Sequence, residues 1–206
     1  NEMPILAPLI PRDDQRNSKV SFDVRPASAD HAPSCSSKGV LSQLAGSRAD
    51  EVIADDCEVP NNSFTQPMRD KLSEAVKEFE AILKPSGKIT FLGTPQVENS
   101  LYLTLEERGY ETRIWTARYP NHKNNYGDRL APRLAKNLLE GSVQPQDPVD
   151  PVRFSAQDLM EREASYGRSG FNLQFMLDTT LSDQDRYPLK INDLVIMSVN
   201  KEYAPE

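Results

Sequence analysis

The clearest apolar pattern lies in the middle of the chain. After Glu51, Val52-Ile53-Ala54 runs without polar interruption into Asp55-Asp56. A continuous run, rather than an alternating one, predicts a strand buried on both faces, as in a parallel sheet. Pro60-Asn61-Asn62-Ser63 then breaks the chain, and Pro67 suits the first turn of a helix. Met68, Leu72, Ala75, Val76, Phe79, Ile82 and Leu83 recur at three- and four-residue spacing, which predicts an amphipathic helix ended by Pro85-Ser86-Gly87. Lys88 to Leu92 predicts a second central strand, stopped by Gly93-Thr94-Pro95. A helix from Asn99 to Arg108, closed by Gly109, leads to a third strand over Thr112–Thr116. Strand, helix, strand, helix, strand at this spacing implies an α/β fold with right-handed βαβ units, residues 51–55 and 89–92 being neighbouring parallel strands.

The flanks are less regular. Residues 1–18 carry an apolar patch from Ile5 to Ile10 but fit no element. Val20 to Val24 alternates and predicts a short strand, residues 25–38 predict an exposed loop, and Gly39 to Leu44 predicts another strand. Beyond Tyr119-Pro120, Leu130, Leu134, Leu138 and Leu139 mark a helix ending at Gly141. Pro145, Pro148 and Pro151 follow, and Ser155 with Asp158 three residues on makes a capping box. Phe171, Phe175 and Met176 predict one more short helix beyond Gly167 and Gly170. These helices form a small subdomain beside the sheet.

Composition narrows the classes. With 16 Pro against 9 Gly in 206 residues, the chain inverts the usual order of about 5% and 7%, which implies many stiff connections between short elements. No stretch approaches the roughly 20 apolar residues of a membrane span. Two cysteines are too few for a disulfide framework or a zinc site. Cys57 sits between Asp56 and Glu58, whose field raises a thiol pKa and argues against a nucleophile. His31 and His122 stand alone in polar loops. A net charge of -7 gives no general attraction to nucleic acid. One window departs from this: Arg108, Arg113, Arg118, Lys123, Arg129, Arg133 and Lys136 are opposed only by Glu111 and Asp128, with Tyr110, Trp115, Tyr119 and Tyr126 interleaved. It reads either as a phosphate track or as a solvated helix face and strand edge.

In an open parallel sheet ligands bind at the carboxyl ends of strands. One strand here ends in Asp55-Asp56, with Glu58 close behind, and the other in Gly93-Thr94-Pro95-Gln96. Adjacent carboxylates repel unless a cation or solvent compensates, and Mg²⁺ held against nucleotide phosphates is such a cation. The other reading is that the two acids start an exposed loop and cap the next turn, and that Gly93-Thr94-Pro95 is a plain turn.

The segment from Ser47 to Ser63, with the order Arg48-Ala49-Asp50-Glu51-Val52-Ile53-Ala54-Asp55-Asp56-Cys57-Glu58, resembles the region around the Walker B motif of phage large terminases, the DNA packaging proteins (DNA maturase B) of short-tailed podoviruses. Lys88 to Gln96 looks like that family's coupling motif. Arg113 to Pro120, Asp150 to Phe154 and Tyr166 to Leu177 are also similar, in the same order, from about Arg48 to about Leu189. The resemblance implies a P-loop-type (ASCE) ATPase core, incomplete, followed by a helical linker subdomain. Residues 1–120 would be the second half of the ATPase core, 121–189 the linker, and 190–206 the lead-in to a nuclease domain. It also implies an ATP- and Mg²⁺-dependent motor that threads double-stranded DNA through the portal protein into a procapsid. Such a motor works with a small terminase subunit, as a homo-oligomeric ring in the host cytoplasm, transiently at the portal vertex. By it, Asp55 would be the magnesium-side acid, Asp56 the water-orienting carboxylate with Glu58 as substitute base, and Thr94 the residue coupling hydrolysis to movement. Arg48 would complete a neighbour's ATP site, or pair at the surface with Asp50 or Glu51. In the functional reading of the basic window, a phosphate track or a contact with the portal, Arg129 and Arg133 would be the DNA contacts, beside those made by the rest of the protein.

The family's Gly-x-x-x-x-Gly-Lys-Ser/Thr loop does not occur in these 206 residues; Ser86-Gly87-Lys88, a turn before a strand, is the nearest thing. A chain opening on Asn1-Glu2-Met3-Pro4 is expected to be an excised piece that cannot hydrolyse ATP alone. The alternatives are a non-catalytic module docking to portal or small terminase, and another helicase-like ATPase.

Overall fold

The computed structural model of the chain describes residues 3–28, 30–97, 99–121 and 126–178. Two compact units divide between Gly93 and Thr94. His122, Lys123, the expected linker beyond residue 178 and the expected lead-in at 190–206 lie outside the described residues. No described helix is long and apolar enough to cross a membrane.

The first unit opens with a 3-10 helix, Pro4–Leu9, which buries none of its residues. Strand β1 (Ser21–Phe22) pairs antiparallel with β2 (Cys35–Ser36), so the expected strand at Val20–Val24 shortens to two residues, and its partner lies inside the expected loop. Gly39–Leu44 is not a strand. The Ser42 amide and hydroxyl both return to the Gly39 carbonyl, at 2.9 and 2.6 Å, and this local turn replaces an extended backbone.

The centre of the unit is β3 (Ala49–Asp55), the short α1 (Pro60–Ser63), α2 (Gln66–Ile82) and β4 (Leu83–Leu92). The two strands are parallel, as expected, with Val52 opposite Ile89 and Asp55 opposite Leu92. Helix α2 buries Leu72, Val76, Phe79 and Ile82, the stripe read from the sequence, while Met68 stays 42% exposed. Pro85-Ser86-Gly87 does not separate helix from strand. Strand β4 starts at once, at Leu83, and the three residues form an irregularity between the pairs Ala49–Leu83 and Glu51–Lys88, with Ser86 at φ 66°.

Side chains alternate across a strand, so the register sorts the sheet into two faces. Val52, Ala54, Ile89 and Phe91 share one face, where the Phe91 ring stacks on Phe79 of α2 at 5.9 Å. Glu51, Ile53, Asp55, Lys88, Thr90 and Leu92 share the other, and there Ile53 is 64% and Leu92 50% exposed. The expectation of burial on both faces is therefore met on one face only: α2 is the only layer that the described residues of this unit provide.

In the second unit, Ser100 caps α3 (Leu101–Glu107) by accepting the Tyr102 amide at 3.3 Å, and Gly109, at φ 95°, ends it. The expected third strand at Thr112–Thr116 is reduced to a single bridge, Ile114 with Leu130. The backbone here divides its hydrogen bonds among separate segments: Ile114 with Arg129 and Ala131, Ala117 with Phe175 and Val149, Tyr119 with Asp147 and Gln146. No continuous ladder results, and the parallel sheet keeps two strands among the described residues.

Helix α4 (Pro132–Leu139) ends before Gly141, at φ 65°, as the leucine spacing implies. Leu134 and Leu130 pack with Ala131, Tyr119 and Tyr126. Helix α5 (Ala156–Phe171) begins at the expected capping box: the Ser155 hydroxyl accepts the Asp158 amide at 3.1 Å, and the Asp158 carboxylate accepts the Ser155 amide at 3.0 Å. The hydrogen bonds from Ser155 hold the Asp158 carboxyl below its ordinary range. Phe154 before the cap and Leu159 in the second turn belong to one apolar cluster, the staple that fixes a helix entry. The short helix expected beyond Gly167 and Gly170 is instead a continuation of α5. Gly167, at φ 70° and ψ 166°, kinks the helix in a conformation that only glycine adopts readily, and a π turn follows over Asn172–Met176.

Candidate functional site

Strand β3 delivers Asp55 and Asp56 to its carboxyl end, both exposed, and neither makes an ion pair among the described residues. Asp56 has left the strand conformation, with φ 46°, and its amide donates to the Leu92 carbonyl at the end of β4, 2.9 Å away. A left-handed backbone at a non-glycine residue is uncommon, and aspartate is among those that tolerate it.

The residues behind the acid pair turn inward. Cys57 is buried and Glu58 only 1% exposed. The Asn62 side chain donates to the Cys57 carbonyl at 2.8 Å and accepts the Val59 amide at 2.9 Å, and the Ser63 hydroxyl donates to the Val59 carbonyl at 2.8 Å. Arg69 of α2 then holds the Ser63 carbonyl at 2.8 Å. Asn62, Ser63 and Arg69 were not singled out in the sequence. They pin the loop after the acids, and Asn62, not Asp55 or Asp56, satisfies the start of α1.

Burial, then the charges of Asp55 and Asp56, push the Cys57 thiol pKa up. A thiolate is the reactive form. Iodoacetamide at neutral pH is therefore expected to label exposed Cys35 and spare Cys57 until denaturant is added, as read by peptide mass spectrometry. Labelling of Cys57 in the folded chain at the rate of Cys35 would contradict this environment.

The other predicted residues stand apart. Arg48 is exposed just before β3, at the strand end opposite Asp55, about 20 Å away at about 3.3 Å per residue. Its guanidinium donates to the Ser47 carbonyl at 2.8 Å. The surface pairs expected of it do not form, because Asp50 is taken by Lys84 at 2.9 Å and Glu51 by Lys88 at 3.0 Å. Thr94 is half-buried, two residues past β4, in the second unit, where its carbonyl accepts from the Gln96 side chain at 3.0 Å.

The basic window of the sequence is largely compensated in the fold. Arg113 pairs with Glu111, Arg118 with Glu163 at 2.6 Å, Arg129 with Glu106 at 3.7 Å, and Lys136 with Glu140 at 3.7 Å. Tyr119 and Tyr126 are core residues rather than stacking platforms. The Tyr126 hydroxyl donates to the Met176 carbonyl at 2.7 Å, and its burial raises its pKa. Of the two arginines expected to meet DNA, Arg129 is half-buried and tied to Glu106, and Arg133 is exposed on the first turn of α4.

No family model matches the chain. Over 98% of its length, in an alignment of 210 residues, it is 50% identical to the large terminase subunit of Enterobacteria phage T3, and it spans 36% of that protein. Half of all positions identical across nearly the whole chain is far more than the two strand-end motifs alone account for, and it makes the chain similar throughout to one part of a phage terminase large subunit.

Proposed function

We propose that this chain is part of the ATP-driven motor that packages double-stranded phage DNA into a procapsid. The observation that carries the reading is an exposed acid pair at the carboxyl end of β3, beside parallel β4, in a sequence half identical to a terminase large subunit. Open parallel sheets bind their ligands at that end. In this reading the first unit is part of a P-loop-type ATPase core.

Two adjacent exposed carboxylates fit Mg²⁺, which keeps several of its waters and takes one or two carboxylates plus substrate phosphates. Among the described residues no group of three or more His, Cys, Asp or Glu side chains could hold a metal, so an all-protein cage is not the fit. Bound Mg-ATP would supply the phosphoryl group and neutralise its charge. Asp55 would hold the ion through its water shell, and Asp56 would orient the attacking water. The burial of Glu58 favours Asp56 over it as the base. Thr94 would couple hydrolysis to movement. Arg48, far from this copy's acids, would serve the site of a neighbouring copy in a homo-oligomeric ring. Portal protein, small terminase subunit and duplex DNA are the partners, in the host cytoplasm and at the portal vertex.

The test replaces the matching stretch of the T3 large subunit by this sequence. Mixed with procapsids and linear duplex DNA, that protein is expected to protect the DNA from added nuclease only when ATP and Mg²⁺ are both present. Protection without ATP, or a folded protein that protects none, overturns the reading.

A further inference from the structure

Two exposed cations of the second unit, outside the basic window of the sequence, converge on one aromatic ring. The guanidinium carbons of Arg153 and Arg162 are 5.1 and 4.9 Å from the centroid of the same Phe154 ring, so they are at most 10.0 Å apart, the sum of those distances. Arg162 also lies 5.8 Å from the Phe175 ring. Both arginines are exposed; Arg162 is near enough to Asp158 to help Ser155 lower its carboxyl pKa, and neither makes a direct ion pair among the described residues.

The nearby acids keep their charge but turn their oxygens to other donors. Asp158 accepts the amide and hydroxyl of Ser155 at 3.0 and 2.6 Å, and Glu161 the Gln157 side chain at 3.0 Å. Asp150 accepts the Arg153 amide at 3.2 Å, and Glu163 accepts Arg118. An aromatic face attracts each cation and limits its rotamers, while the planar edge of each guanidinium keeps its donors open. Two guanidinium groups gathered on one ring, both exposed, present donors that an incoming anion can take. Successive phosphates of a nucleic-acid strand are anions of the matching kind, and guanidinium forks bind them bidentately.

We propose that Arg153, Phe154 and Arg162 form a contact for the phosphate backbone of duplex DNA, an inference that rests on the packaging reading and extends it to a surface. Backbone contacts carry no sequence information, which suits a motor that must move every sequence in a genome.

The test uses the T3 large subunit carrying this sequence and a mixed-sequence duplex, with affinity followed by anisotropy against salt. The double variant Arg153→Gln/Arg162→Gln is expected to reduce the slope of log affinity against log salt by about 1.8, or about 0.9 per lost phosphate. Arg153→Lys/Arg162→Lys, which keeps both charges, is expected to retain the slope. An unchanged slope in the Gln variant, an equal loss in the Lys variant, or no duplex binding by the parent overturns the contact. ATP-driven packaging by the parent with an unchanged slope removes this contact alone, whereas a parent that binds duplex but never packages it counts against the motor instead.

Discussion

Asp56→Asn, in the T3 subunit carrying this sequence, is expected to lower DNA-stimulated ATP hydrolysis by about 10²–10⁴-fold, the range that a positioned proton acceptor contributes. The two side chains are nearly the same size, and Asn tolerates the left-handed backbone that Asp56 adopts at φ 46°, so circular dichroism and melting temperature are expected to stay put. Asp56→Gly separates chemistry from fold more sharply. It relieves a conformation that costs an ordinary residue about 1 kcal/mol, so the protein is expected to be no less stable and yet equally inactive. Glu58→Gln has the opposite signature. With 1% of its surface exposed, Glu58 meets no solvent from which to draw a proton acceptor's water, and its replacement is expected to cost stability before turnover. If Glu58→Gln abolishes hydrolysis in a fully folded protein while Asp56→Asn leaves it intact, the roles assigned to the two acids are reversed.

The elements legible in the sequence are those whose signal is local. The stripe of α2 buries as its spacing implies, and the Ser155–Asp158 box needs only its own turn. The parallel pairing of β3 and β4 follows from two apolar runs separated by one helix. Misread features depend on partners that a local window cannot contain. Ile53 reads as buried because it sits in an apolar run, but among the described residues of its unit only the opposite face has a helix. Thr112–Thr116 has the composition of a strand, yet Ile114 finds a partner at one position only. The basic window looks uncompensated in part because two of its acids are remote: Glu163 lies 45 positions from Arg118, and Glu106 is brought to Arg129 by the fold. Counting charge along a chain cannot see such pairs. Equally, it cannot see that one Phe154 ring gathers two arginines from either side of a helix start. The place of the acid pair, at the end of a strand, was legible; the Asn62 and Arg69 network that fixes the loop behind it was not, because those residues look like ordinary turn and helix-surface positions.

Gly87→Ala is expected to be the most damaging small change in the first unit. At the irregularity between β3 and β4, a Cβ on Gly87 would stand 2.7 Å from Leu83 Cγ, 2.8 Å from Leu83 Cδ1 and 2.8 Å from the Asp50 carbonyl oxygen. The leucine can turn away at the expense of its packing. The carbonyl is backbone, one residue before Glu51, where the regular pairing with Lys88 resumes. Relieving that contact pushes the strands apart at the point that sets their register, and overpacking of this kind costs typically about 1–3 kcal/mol. Gly39→Ala is the matched control, because nothing lies within 4 Å of the added carbon, and surface changes of that sort stay within about 0.5 kcal/mol. Urea titrations of the 206-residue chain, followed by circular dichroism, are expected to show Gly87→Ala unfolding at clearly lower denaturant and Gly39→Ala overlaying the parent. In the T3 subunit carrying this sequence the displacement would reach Asp55 and Asp56 through β3, so ATP hydrolysis is expected to fall although no acid has been altered. Equal stability of the two alanine variants would mean that β3 and β4 do not approach at Gly87, and with that contact would go the register that sets Asp55 opposite Leu92.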